Sequence, residues 1–149
     1  MAVSETDSLR FLVAVDDSQP AGWAFQTALD MMNKSKDALV LLSVVADGGQ
    51  AEDKKAALNK ARKILRPFAK LAKDAGVQCS IVASLSSHPA LSITNYCQEQ
   101  HIDIACLGRG RSCASDPITD DCSGSVSLYC VEHARCTVIV DRSNPACLK

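Results

Sequence analysis

Two stretches in the last third of the chain have residue types and an order suited to holding an anion. The first is Ile102-Asp-Ile-Ala-Cys-Leu-Gly108-Arg-Gly110, an apolar run that ends in glycines. The second is Gly124-Ser125-Val126-Ser127, a Gly-Ser pair that opens a helical pattern running to Ala134. Backbone N–H groups at a helix start have no intrahelical partner, and the positive end of the helix dipole meets there, so phosphate is favoured. Glycine lets backbone approach a ligand with no Cβ in the way. The plainer reading of Ser123 or Ser125 is a helix cap, and the residues alone allow both. Asp16 ends another apolar run, Phe11 to Val15. A carboxylate there can accept hydrogen bonds from the hydroxyl or N–H groups of a ligand; the alternative is a solvated loop acid that caps the next helix. Val44 can present backbone to a bound ligand or simply pack in the core.

The elements that must position these residues follow from periodicity. Phe11–Val15 and Ala38–Val45 are continuous apolar runs, as expected for strands covered on both faces. Pro20, Trp23, Thr27, Ala28, Met31 and Met32 mark a first helix, with Ser18 as its expected cap. Ala51 to Ala75 is a long amphipathic helix interrupted by Pro67 and stopped by Gly76. Val77–Leu85 reads as a third strand, Pro89 to about Gln100 as a helix, Ile102–Leu107 as a fourth strand and Cys136–Val140 as a fifth. Strands and helices alternate, and each connection is long enough for a crossover helix. This predicts an α/β, Rossmann-like fold: a parallel, doubly wound sheet with helices on both faces. In such sheets ligands bind beyond the carboxyl ends of the strands, where the strand order reverses. Asp16, Val44, Gly108, Gly110 and Gly124 to Ser127 all fall at that edge.

With 149 residues the chain is expected to be one domain, 1–149, with polar tails at 1–9 and 143–149. Its net charge of −1 supplies no general attraction for nucleic acid or an anionic membrane. No apolar run reaches the roughly 20 residues that cross a bilayer, and Met1 to Arg10 lacks the apolar core of a signal peptide. A cytoplasmic protein is expected. Its eight cysteines include no Cys-x-x-Cys pair, so reduced thiols used as small apolar fillers are expected. Cys79, Cys97, Cys106, Cys130 and Cys136 should be buried; Cys113, Cys122 and Cys147 should be reactive.

Other chemistry has weaker support. Arg109 and Arg111 could pair with phosphate, but Asp116, Asp120 and Asp121 in the same loop would repel it unless Mg²⁺ bridged them. Cys113, Cys122, Cys130 and His133 form a scatter without zinc-ligand spacing, and no metal site is assigned. The basic helix (Lys54, Lys55, Arg62, Lys63, Arg66, Lys70, Lys73) could meet an acidic partner, although a solvated face is commoner, and it lacks the interleaved aromatics of a nucleic-acid platform. No Ser-His-Asp order, paired carboxylates or activated cysteine stands out, and no catalytic residue is assigned.

The chain resembles the universal stress protein family along nearly its whole length. The resemblance rests on Val13-Ala-Val-Asp-Asp-Ser18, Leu41-Leu-Ser-Val-Val45, His101-Ile-Asp-Ile-Ala-Cys-Leu-Gly108 and, most specifically, Gly124-Ser-Val-Ser-Leu-Tyr-Cys-Val-Glu-His-Ala-Arg-Cys-Thr-Val-Ile-Val140. It implies five strands ordered 3-2-1-4-5, usually a homodimer and, in some members, bound ATP. The nucleotide-binding members carry Gly-x-x-Gly, nine residues, then Gly-Ser or Gly-Thr. Here one residue separates Gly108 from Gly110, and thirteen (Arg111 to Ser123) separate Gly110 from Gly124. Asp17 stands where the family often has glycine. The expected function is a stress-response protein that binds ATP or another adenine nucleotide, with Mg²⁺ assisting, and does not turn it over efficiently. It would act as a sensor or protein-interaction module. The alternatives are a homodimer of the same fold that works through protein contacts alone, and a slow metal-assisted ATPase.

Overall fold

The computed structural model describes residues 8–47, 50–108 and 125–141. Among them strands and helices alternate: β1 (Arg10–Ala14), α1 (Gln19–Met31), β2 (Ala38–Val45), α2 (Ala51–Asp74), β3 (Gln78–Leu85), α3 (Pro89–Glu99), β4 (Ile104–Gly108), α4 (Ser125–His133) and β5 (Thr137–Asp141). The five strands form one all-parallel sheet in the order β3-β2-β1-β4-β5. The expected architecture and strand order are therefore what the chain adopts.

Alternation along each strand divides the core in two. Phe11 and Val13 of β1, Leu39 and Leu41 of β2 and Cys106 of β4 pack under α1 and α2, against Ala24, Phe25, Ala28 and Leu65. Their neighbours Leu12, Val40, Leu42, Ala105 and Leu107 pack on the other face, against Ile93 and Cys97 of α3 and Cys130 of α4. The Phe25 and Phe68 rings meet edge to face, with centroids 5.1 Å apart, and join α1 to α2. α2 runs unbroken through Pro67, which lies on its exposed side. The carbonyl that loses its partner there faces solvent, where water can satisfy it.

Two aspartates tie the amino-terminal ends of the strands together. Asp37 is only 4% exposed; its Oδ1 accepts the Leu9 N–H and its Oδ2 the Asn33 N–H, both at 2.8 Å. Asp103 Oδ2 accepts the Arg10 N–H at 2.8 Å, its own N–H donates to the Arg10 carbonyl, and its carbonyl accepts from Thr137. Ile102 and Asp103 are thus spent on the approach, and β4 starts at Ile104 instead of the expected Ile102. α3 ends with His101 in the left-handed region (φ 53°), while the Ile102 N–H donates back to the Cys97 carbonyl.

Candidate site at the carboxyl edge of the sheet

β1 and β4 are neighbours, but the chain leaves them in opposite directions. From β1 it passes to α1 on one face; from β4 it leads on to α4 on the other. A crevice opens between two such connections because neither covers the strand ends between them. Asp16 lies just past β1, Val44 near the end of β2 and Gly108 at the end of β4. The sheet therefore gathers three of the expected residues along one edge. Ser125, Val126 and Ser127 begin α4. Gly110 and Gly124 lie outside the described residues, as do Arg109, Arg111 and the loop aspartates.

The edge is built from local hydrogen bonds. The Val15 N–H donates to the Leu42 carbonyl at 2.8 Å and the Ser86 N–H to the Val45 carbonyl at 3.0 Å, extending the ladders beyond the strands proper. Asp16 is exposed, and its Oδ1 accepts the Ser18 N–H at 2.8 Å. The same oxygen also accepts the Ser18 hydroxyl. Ser18 does occupy the cap position of α1, but its side chain makes no capping bond, because its hydroxyl is turned toward Asp16. The expected serine cap is therefore not formed, and the aspartate shapes the turn that enters the helix.

Gly108 has a packing reason to be glycine. A Cβ built on it would fall 2.7 Å from Pro20 Cβ and against the Pro20 carbonyl group. The end of β4 and the start of α1 are in direct contact there. Val44 is half-buried and packs against the α3 and α4 side of the core, so its side chain has the packing role. Its backbone remains at the strand end. Ser127 is buried, at 6% exposure, one helical turn from the buried Cys130. It shares a buried face of α4 with Cys130.

Asp141, missed in the sequence, also belongs to this edge. It ends β5 in register with Gly108, and its Oδ2 is buried with no hydrogen-bond partner among the described residues. The signal was there in a carboxylate closing the valine-rich run Val138-Ile-Val-Asp141, the same pattern that drew attention to Asp16. Its charge also acts on Cys106, whose thiol is pushed up to about 12, first by burial and then by Asp141.

The thiols are poor nucleophiles for the same reason. Burial pushes Cys97 up to about 12 and Cys130 to about 11, with neighbouring thiols adding to both. Cys97, Cys106 and Cys130 are buried as expected, but Cys79 and Cys136 are only half-buried, since both lie near sheet edges. Cys113, Cys122 and Cys147 lie outside the described residues. Cys97 and Cys136, with His101, Asp103 and Arg135, line a cavity of about 350 Å³ at the opposite, amino-terminal end of the sheet. Among the described residues no group of three or more His, Cys, Asp or Glu side chains could hold a metal ion. The His133 ring stacks on Tyr129 at 4.1 Å and sits by the Tyr129 carbonyl, which explains that histidine by packing. No helix among the described residues is long and apolar enough to cross a membrane.

The sequence model of the Universal stress protein family matches residues 9–142. The chain belongs to the universal stress protein family. Solved structures share its fold. Universal stress protein UspA from Lactobacillus plantarum is 26% identical, with a TM-score of 0.74 over 90% of this chain and 97% of that one. A universal stress family protein from Arabidopsis thaliana, solved with AMP bound, is 22% identical, with a TM-score of 0.69 over 93% and 94% of the two chains. The universal stress protein from Archaeoglobus fulgidus in complex with dAMP is 16% identical, with a TM-score of 0.67 over 89% and 96%. No curated protein matches this family member by sequence.

Proposed function

We propose that this universal stress family member binds an adenine nucleotide at the carboxyl edge of its sheet and acts as a nucleotide-dependent sensor or interaction module in the cytoplasm, without efficient turnover. The observation that carries the reading is the reversal of strand order between β1 and β4, with Asp16 and Gly108 at its two lips. The Asp16 carboxylate is exposed and held by Ser18, so it is fixed in place for a ribose hydroxyl. The start of α4 offers backbone N–H groups for phosphate. Relatives of the same fold solved with AMP, dAMP and cAMP support an adenine nucleotide as the ligand class.

The described residues fit the nucleoside better than a triphosphate. Asp16 and Asp141, whose Oδ2 has no partner among the described residues, bring negative charge to the edge, and Ser127 is buried. The proposed site therefore comprises Asp16, the Val44 backbone and Gly108 for the nucleoside. Gly110, Gly124, Ser125 and Val126 serve the phosphates, with Mg²⁺ offsetting the acidic groups when ATP is bound. Calorimetry with AMP, ADP and ATP, with and without Mg²⁺, tests this. Saturable binding of AMP and a Mg²⁺ requirement that grows with phosphate number are expected. No heat from any of the three at millimolar concentration overturns the reading, and rapid phosphate release from ATP overturns the non-turnover part.

A homodimer belongs to the same proposal. Leu128 and Val131, one turn apart on α4, are 59% and 52% exposed, and β5 beside them is an edge strand. Apolar side chains next to an open strand edge favour pairing with a second copy. These residues also favour the second reading, a dimer that works through protein contacts with no nucleotide. Calorimetry separates the two.

A further inference from the structure

The opposite edge of the sheet carries a second feature that the nucleotide reading leaves unused. β3 is an eight-residue edge strand, Gln-Cys-Ser-Ile-Val-Ala-Ser-Leu, paired on one side to β2. It has no charged residue, no proline and no fully buried residue, and Ile81 is 43% exposed. Edge strands of this length are normally blunted by a charge, a proline or a bulge, because their outward N–H and C=O groups will accept another strand. β3 has none of the first two.

What flanks it is α2, with eight basic and three acidic residues. Ala61, Leu65 and Ala72 mark the buried line of this helix, and Phe68 lies to one side of it, against Phe25 of α1. On the other side, about 100° round the helix at 3.6 residues per turn, fall Lys55, Arg62, Arg66 and Lys73. All four are exposed, and their spacing of seven, four and seven residues puts them in one stripe on the flank beside β3. The stripe contains no acidic residue. Its one hydrogen bond among the described residues joins Arg62 to Asn59, and the ion pair of α2, Lys54 with Asp47 at 3.8 Å, lies off it.

We infer that the β3 edge, flanked by the Lys55–Arg62–Arg66–Lys73 stripe, is a docking site for an extended acidic segment of a partner protein, which adds to the sheet as a sixth strand. Main-chain pairing with β3 supplies the affinity, and acidic side chains at alternate positions of the added strand reach the stripe. Charge excludes the simplest competitor. Two copies joined through β3 would bring two basic stripes together, and like charges this close repel. The stripe thus protects the edge from self-pairing and selects an acidic occupant.

The test uses the full chain and a fluorescein-labelled ten-residue peptide alternating Glu and Val, followed by fluorescence anisotropy. It should bind, and its affinity should fall at least tenfold when every amide is N-methylated, which keeps the charge but removes strand pairing. Arg62→Glu with Arg66→Glu should weaken it at least tenfold, leaving AMP binding and the melting temperature of the protein unchanged. A Lys-Val peptide should not bind, and backbone amide NMR shifts should concentrate at Ser80 to Val82. Three outcomes overturn the inference: no binding of the Glu-Val peptide at millimolar concentration, equal binding of the N-methylated peptide, or equal competition by a ten-residue oligothymidylate. The last would mark a general polyanion surface.

Discussion

Gly108 and Pro20 bring the end of β4 directly against the first turn of α1: a Cβ on Gly108 would lie 2.7 Å from Pro20 Cβ and closer still to the Pro20 carbonyl. The end of β4 and the first turn of α1 can therefore be this close only with glycine at 108. Gly108→Ala should lower stability by about 1–3 kcal/mol, the usual cost of overpacking a tight site. Urea denaturation would measure it. A variant as stable as the parent would show that α1 shifts freely.

The Asp16 turn separates a structural role from a binding role. Asp16→Asn keeps an oxygen for the Ser18 N–H but removes the charge; Asp16→Ala removes both. The Ala variant should lose about 0.5–2 kcal/mol of stability, in the range of lost local caps, and Asn much less. If the carboxylate holds the ribose, both should weaken AMP about tenfold, equivalent to about 1.4 kcal/mol. Calorimetry on the pair reads this directly, and unchanged affinity in both variants would remove Asp16 from the site.

Asp37 should be the costliest polar side chain to delete. Its two oxygens hold the Leu9 and Asn33 N–H groups inside a 4% exposed site. Asp37→Ala leaves both donors without their acceptor, and about 2–5 kcal/mol should be lost, since each charge-assisted bond contributes about 1.5–3 kcal/mol. Chemical denaturation gives the value. A loss below about 1 kcal/mol would mean that water replaces the carboxylate.

High pH should unfold the protein through its thiols. Cys97 and Cys106 are raised from the ordinary 9.0 to about 12 and Cys130 to about 11, so the folded chain keeps protons that the unfolded chain releases. Their contribution is complete below pH 9 and is lost as pH rises from about 9 to about 12. Melting temperature followed from pH 8 to 11 should fall across that window, and Cys106→Ala should flatten part of the fall. At pH 8 iodoacetamide should label Cys79 and Cys136 before Cys97, Cys106 and Cys130, because burial also limits access.

Assembly can be tested at α4. Val131→Glu places a charge on a side chain that is 52% exposed and near the β5 edge. Light scattering at tens of micromolar should give a dimer mass for the parent and a monomer mass for the variant, with the melting temperature of the isolated fold little changed. A monomeric parent would refute the dimer.

The sequence by itself determined the alternation of elements and the parallel sheet, while the strand order followed from the resemblance to the family. Unbroken apolar runs such as Leu39–Leu42 can be stable only when covered on both faces, and crossover helices then leave few topologies. It also determined that Asp16 and Gly108 share an edge, because strand ends in a parallel sheet all point one way. Packing decided what the sequence left open. The Ser18 hydroxyl bonds Asp16 instead of capping α1, because two residues of sequence do not say which way a turn closes. Gly108 is glycine because Pro20, 88 positions earlier, touches it. Asp37 and Asp103 drew no notice in the sequence, because Leu9 and Arg10, whose N–H groups they hold, come to them only in the folded chain. Ser127 is buried together with Cys130, one turn further along α4, and the sheet beneath the helix fixes which of its faces is covered. Local periodicity encodes which residues form an element; only contacts distant in sequence fix which way each side chain turns.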